Sequence, residues 1–337
     1  MKVASALLLA SAALLSAGTA QAQAPQVIVS IKPIHSLVAA IMKGVGEPGL
    51  IVEGAASPHT YNMKPSNAQK LQDADVVFWV GHGLEAFLDK PLDALGGGAT
   101  VVALEDAPGL TKLKFREGGA FEAHDHGEHE GEESHAHAGE HAHEDGHAHE
   151  EGHEEAGAHH HEEGAFDMHL WLDPVNAKAM ADEIEKTLVK VDPANADTYA
   201  ANAKALDEKL DALDKELADT VAPVKDKPFI VFHDAYQYFE HRYHVRVAGS
   251  ITVSPENMPG AERISEIHKK VADLGATCVF AEPQFEPKLI KVVTEGTAAK
   301  SGTLDPEAAT LTEGPDLYFD LMRGIATSLK TCLSEAS

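Results

Sequence analysis

Cysteine is scarce in this chain, and basic residues are few beside the acidic ones. Only two of its 337 residues are Cys, and 27 Lys and Arg stand against 54 Asp and Glu. Neither Cys278 nor Cys332 has a CxxC partner, which argues against a thiolate-built metal centre. No basic footprint of the kind that binds nucleic acid is present, so that class of partner is excluded. Long apolar runs are missing as well. Beyond residue 17 nothing approaches the roughly 18 uninterrupted apolar residues of a spanning helix.

Met1-Lys2 gives a short positive region, residues 3–17 consist of Val, Ala, Leu and Ser, and Ala20-Gln21-Ala22 offers small residues at the spacing a signal peptidase reads. The expectation is a cleaved secretory signal over residues 1–22, not a membrane anchor. No cysteine stands at the cleavage site to carry a lipid, so the product is expected to be a soluble, non-lipidated protein of a two-membrane bacterium's periplasm. In that oxidising compartment the even cysteine pair reads as a Cys278–Cys332 disulfide, with two buried free thiols as the alternative. The bridge would close a loop of 54 residues, worth roughly 4 kcal/mol on the chain-entropy model.

The formal charge of −27 is unevenly spread. Glu122 to Glu163 holds 15 acids, 13 histidines and no Lys or Arg, and without it the mature body carries −13. That segment has almost no apolar residue larger than Ala, cannot bury a core, and is expected to be disordered when metal-free. Its imidazoles are mostly neutral near neutral pH and can ligate metal, and the interleaved carboxylates favour cations. One reading is a weak, multivalent zinc collector that raises the capture rate or senses sufficiency. The other is a passive solvating insert. The same composition would also take Ni²⁺ or Cu²⁺.

The rest of the chain alternates short β-rich runs with helical periodicity. Strands are expected at Val27–Ile31, Leu50–Val52, Val76–Val80 and Val101–Ala103, with helices opening at Pro33 and Pro65. After the polar segment, Asp173 reads as a helix cap before Pro174. Asp192-Pro193 repeats the device. Tyr199, Leu206, Leu210, Leu213, Leu217 and Val221 then keep one face of a helix of roughly 25 residues, about 40 Å long and too long for one small domain. A second series follows, with strands at Phe229–Phe232, Val245–Ile251 and Cys278–Ala281. Helices are expected over Ala261–Leu274, Pro287–Lys300 and Leu317–Leu333. The fold class is therefore α/β: two α/β lobes, each a central sheet flanked by helices, joined by one long rigid helix. The expected division is an N-terminal lobe over 23–190, including a loop over 120–164, a linking helix over 191–222, and a C-terminal lobe over 223–337.

Eight histidines lie outside the polar segment, and three have strand-end contexts. His59 is in a Pro-His loop after a strand, His169 precedes Leu-Trp-Leu-Asp-Pro, and His233 directly follows Phe229–Phe232. α/β layers place binding residues at such positions. His82, His241 and His244 read as surface residues and His35 as structural. Glu282 is either an acid that orients a ligand imidazole or a strand-end cap.

With these stretches the sequence resembles the metal-binding receptors of bacterial zinc and manganese ABC transporters, the cluster 9 or TroA-like family, and within it the zinc branch, ZnuA. The resemblance rests on Ser57-Pro58-His59-Thr60-Tyr61, Gln72 to Gly81, Glu85, His169 to Pro174, Phe232 to Tyr236, Ala281 to Gln284 and Thr303-Leu304-Asp305-Pro306. It covers essentially the whole mature chain. It implies a Zn²⁺ site in the cleft between lobes, with His59 and His169 from one lobe and His233 from the other. Manganese members place a carboxylate where His233 stands, and imidazole suits Zn²⁺. Asp305 is the matched carboxylate for the fourth position, with water as the other candidate. Some zinc members carry Glu before the first histidine, and here that residue is Pro58. The resemblance further implies docking on an inner-membrane ABC permease driven by a cytoplasmic ATPase, by a monomeric receptor. Two other readings fit three histidines with an open position. One is a periplasmic zinc buffer without a transporter. The other is a zinc hydrolase, against which stand the lack of HExxH and of an evident general base.

Overall fold

The computed structural model describes residues 24–95, 97–116, 121, 166–252, 255, 259–273, 278–285 and 288–334. The expected signal peptide and the histidine- and acid-rich segment lie outside these residues.

Two four-stranded parallel sheets organise the chain. The first comprises β1 (Val27–Val29), β2 (Gly49–Leu50), β3 (Val76–Trp79) and β4 (Thr100–Ala103) in the order β2-β1-β3-β4. The second comprises β5 (Pro228–His233), β6 (Arg246–Thr252), β7 (Cys278–Ala281) and β8 (Lys300–Thr303) in the order β6-β5-β7-β8. The two halves thus repeat one topology. Strands β1 and β3 are buried along their whole length, as expected for parallel strands covered by helices on both faces.

The helices are α1 (Lys32–Ile41), α2 (Pro65–Gln72), α3 (Asp89–Ala94), α4 (Pro174–Val191), α5 (Ala196–Val221), α6 (Gln237–Tyr243), α7 (Ala261–Asp273), α8 (Lys288–Thr294) and α9 (Leu317–Ser334). Asp173 caps α4 as its sequence predicts, accepting from Val175 N at 2.8 Å with Pro174 in the first turn. The second Asp-Pro behaves differently. Asp192 is used by the side chains of Asn195 at 2.7 Å and Tyr199 at 2.9 Å, and a single 3₁₀ turn over Pro193–Asn195 precedes α5. The 26 residues of α5 span about 39 Å. Its buried face, Tyr199 through Val221, packs on α1 and α4 from the first half and on α9 and α6 from the second. The expected long linking helix is therefore present.

The run expected as a helix to Lys300 splits. Helix α8 stops at Thr294, the chain turns through Gly296 at φ +71°, and Lys300–Thr303 adds to the sheet edge as β8. A disulfide joins Cys278 of β7 to Cys332 of α9, with the Cα atoms 6.2 Å apart.

One apolar core runs through both halves, and a second, smaller cluster around Ile230, Phe232, Ile251, Ile267 and Val279 fills the other face of the second sheet. Polar ties reinforce the junction. The buried Lys32 ammonium donates to the carbonyls of Ala308, Ala309 and Leu311 at 3.2, 3.3 and 2.9 Å. Trp171, fully buried, donates from Nε1 to Pro306 O at 2.8 Å, and Tyr318 Oη donates to Trp171 O at 2.7 Å. No helix among the described residues is long and apolar enough to cross a membrane.

Candidate metal centre

The carboxyl ends of both sheets converge on three imidazoles. His59 sits in a 3₁₀ turn, Pro58–Thr60, that follows β2. The loop leading out of it is pinned to Ile51 O by Tyr61 Oη at 3.0 Å and Asn67 Nδ2 at 3.1 Å. His169 opens a second 3₁₀ turn whose residues Leu170, Trp171 and Leu172 are all buried, so the core itself sets the ring's position. His233 is the last residue of β5. The ligand-capable nitrogens of the three side chains lie within 4.8 Å of one another. His59 Nε2 is 3.3 Å from His169 Nε2, and His233 Nε2 is 3.2 Å from it.

Two carboxylates fix how these rings present themselves. Asp167, fully buried, takes Nδ1 of His169 at 2.7 Å and the backbone N–H of His169 at 3.0 Å on the same oxygen. Glu282, which follows β7, lies with its two oxygens 2.8 and 2.7 Å from Nδ1 of His233. A carboxylate accepts, so each Nδ1 carries a proton and each ring turns its Nε2 inward. The Nε2 atoms of His169 and His233 thus face one another at 3.2 Å. Nitrogens bound tetrahedrally to zinc at about 2.0–2.1 Å stand about 3.3 Å apart, so these two separations are compatible with a zinc site.

The local electrostatics push the rings in opposite directions. Desolvation, and then the neighbouring His169 and His233, hold His59 well below the ordinary imidazole value. Burial also pushes His233 down, but Glu282, Asp234 and Asp167 outweigh it and its value is raised.

Other residues singled out in the sequence fall elsewhere. Asp305 lies outside the three-histidine cluster. Its carboxylate accepts from Gln284 Nε2 at 3.1 Å, Glu307 N at 3.3 Å and Thr310 N at 3.4 Å, closing the turn after β8. His35 is buried and bonds Pro48 O at 3.0 Å through Nε2, a structural role. His82 is exposed and pairs with Asp89, while His241 and His244 are exposed at the end of α6. Glu282 orients an imidazole, one of the two roles its sequence left open. Asp167 carries no sequence expectation of its own; the available signal is an acid two residues before a histidine, close enough to bond both its amide and its ring. Glu85, quoted only as part of the resemblance, is fully buried and accepts from Gly81 N at 2.9 Å and Val80 N at 3.2 Å.

The model of the family described as zinc-uptake complex component A, periplasmic (ZnuA), matches residues 27–332. The chain belongs to this family. It is 60% identical over 309 residues to the high-affinity zinc uptake system protein ZnuA of Brucella suis, covering 92% of each chain. It is 36% identical over 323 residues to the protein of that name from Yersinia pestis, covering 96% of each. The periplasmic zinc-binding protein TroA from Treponema pallidum shares the fold at a TM-score of 0.72 and 20% identity, with 92% of this chain and 99% of that one covered.

Proposed function

We propose that this ZnuA-family chain captures Zn²⁺ in the periplasm and hands it to an ABC-type permease of the inner membrane. The supporting observation is the inward convergence of three Nε2 atoms at zinc-compatible separations, two of them oriented by buried carboxylates. In this reading His59, His169 and His233 are the protein ligands, and Asp305 or water completes the tetrahedron. The metal is cargo, held between lobes taken as residues 23–190 and 223–337, with residues 191–222 linking them. The curated relatives named for zinc uptake support the assignment. The chain acts as a monomeric binding receptor and not as an enzyme, exported by a cleaved signal over residues 1–22 and carrying no lipid. With α5 packed on helices of both halves, loading and release proceed by small rocking of the lobes.

Metal titration of the mature protein tests the reading. One tight equivalent of Zn²⁺ is expected, lost in His59→Ala, His169→Ala and His233→Ala. Tight binding that survives all three substitutions would refute it. Loss of zinc-limited growth on deletion of a neighbouring permease, and its rescue, would check the transport partner.

A further inference from the structure

The stretches that flank residues 122–165 meet in the structure. Lys114 pairs antiparallel with Phe166, and Asp167 N donates to Leu113 O at 2.9 Å. The stem so formed is bonded to α6 in the second half of the chain. Leu113 N donates to Tyr238 Oη at 3.0 Å, and that hydroxyl donates to Asp167 O at 2.6 Å. Gln237 Nε2 reaches Asp167 Oδ2 at 3.3 Å. Arg116 supplies the strongest tie. Its Nε donates to Asp234 Oδ2 at 3.1 Å, Nη2 donates to the other oxygen of Asp234, and Nη1 donates to Glu240. The guanidinium also lies over the ring of Phe121, 4.0 Å from its centroid.

Where these ties land matters more than their number. Asp167 orients His169, and Asp234 is the next residue after His233. A single stem is therefore bonded to both ligand-bearing segments, one from each half. The Asp234 side chain is only 4% exposed, so bulk salt screens this pair weakly, and a bidentate guanidinium–carboxylate contact fixes direction as well as distance.

We propose that this stem is an interlobe clasp in which Arg116 is a positioning residue, holding the His233 segment against the His169 segment and so slowing zinc release. The inference rests on the zinc-receptor reading above. Charge alone predicts the opposite outcome. Removing Arg116 leaves Asp234 unneutralised near the site, which would strengthen attraction for a cation. The sign of the change in release rate therefore separates positioning from electrostatics.

The test uses the complete mature protein as wild type, Arg116→Ala, Arg116→Lys and Glu240→Gln. Zinc release into excess chelator is timed by stopped flow, and the visible spectrum of the Co²⁺-loaded protein reports ligand geometry. All four proteins are expected to hold one tight equivalent. Arg116→Ala should release zinc about tenfold faster or more, as for loss of a buried charge partner, with altered Co²⁺ bands. Arg116→Lys, which keeps the charge but not the fork, should fall between. Glu240→Gln, which cuts the arm that does not touch the ligand segment, should change release least. Unchanged or slower release from Arg116→Ala overturns the clasp, as does an equal effect of Glu240→Gln. Should Arg116→Ala fail to fold, the order of Arg116→Lys against Glu240→Gln decides. A wild type that takes no tight zinc would refute the receptor reading itself, a result distinct from any difference between variants.

Discussion

Glu282, the residue after β7, and His233, the last residue of the neighbouring β5, meet at the sheet's end, where the carboxylate of one embraces Nδ1 of the other with both oxygens, at 2.8 and 2.7 Å. The same carboxylate lies 3.3 Å from the backbone N–H of His233. One acid thus fixes tautomer, ring plane and strand end together. Partners of this kind are worth 10–100-fold in metal affinity. Glu282→Ala should weaken zinc by about that factor, and Glu282→Gln by less because an acceptor oxygen remains. Competition against a chelator of known affinity measures it. Equal, unweakened affinities in both variants would show that His233 needs no such support.

Much of this arrangement was legible in the sequence. Strands β1, β3, β5 and β7 are apolar runs because their sheets are covered on both faces, and continuous burial leaves a continuous pattern. His233 was legible because it ends such a run, whereas His59, in the turn after β2, and His169, which opens a 3₁₀ turn, were legible only from their loop contexts. Strand β8 was not, since Lys300-Ser301-Gly302-Thr303 lies at a sheet edge and carries no apolar signal. Arg116 was illegible for another reason. Its partners Asp234 and Glu240 are 118 and 124 residues away, and nothing local marks an arginine that will be half-enclosed. Asp305 shows the limit of a motif match. Leu304-Asp305-Pro306 suggests a ligand carboxylate, but the bonds of Asp305 to Glu307 N and Thr310 N arise from a turn that only the folded chain reveals.

Glu85 gives the protein a pH dependence apart from its metal ligands. Burial raises its carboxyl from 4.5 to about 7, against the opposing bonds from Gly81 and Val80 N–H. The folded state therefore keeps a proton that the unfolded chain loses on passing 4.5. The stabilising contribution is complete below about 4.5 and is lost as pH rises to about 7, a change of order 3 kcal/mol. Glu85→Gln cannot titrate, so its melting temperature should fall less than that of the wild type between pH 5 and 8, whatever its absolute stability. Parallel curves for the two proteins would rule this out.

The disulfide ties the middle of the second sheet to the terminal helix across 54 residues. Closing a loop of that length lowers the entropy of the unfolded chain by an amount worth about 4 kcal/mol. Reduced protein, or the Cys278→Ala, Cys332→Ala double variant, should lose most of that in denaturant unfolding. Because neither sulfur lies among the ligand nitrogens, the tight zinc equivalent should survive in the folded protein. An unfolding midpoint indifferent to reductant would contradict the first expectation, and loss of zinc from the folded double variant the second.

Deleting residues 122–163 separates collection from capture. That span carries 13 of the 21 histidines and 15 acids, yet the convergent Nε2 atoms belong to His59, His169 and His233, all outside it. Imidazoles spaced among carboxylates, in a stretch with almost no apolar residue larger than Ala, are expected to bind divalent ions individually and weakly. Calorimetric titration should therefore resolve several weak equivalents and one tight one in the complete protein, and only the tight one after deletion. The tight affinity should change little, because the residues that orient the ligands, Asp167 and Glu282, remain. A deletion that abolishes the tight equivalent would place a necessary ligand inside the segment, and unchanged stoichiometry would reduce the segment to a solvating insert.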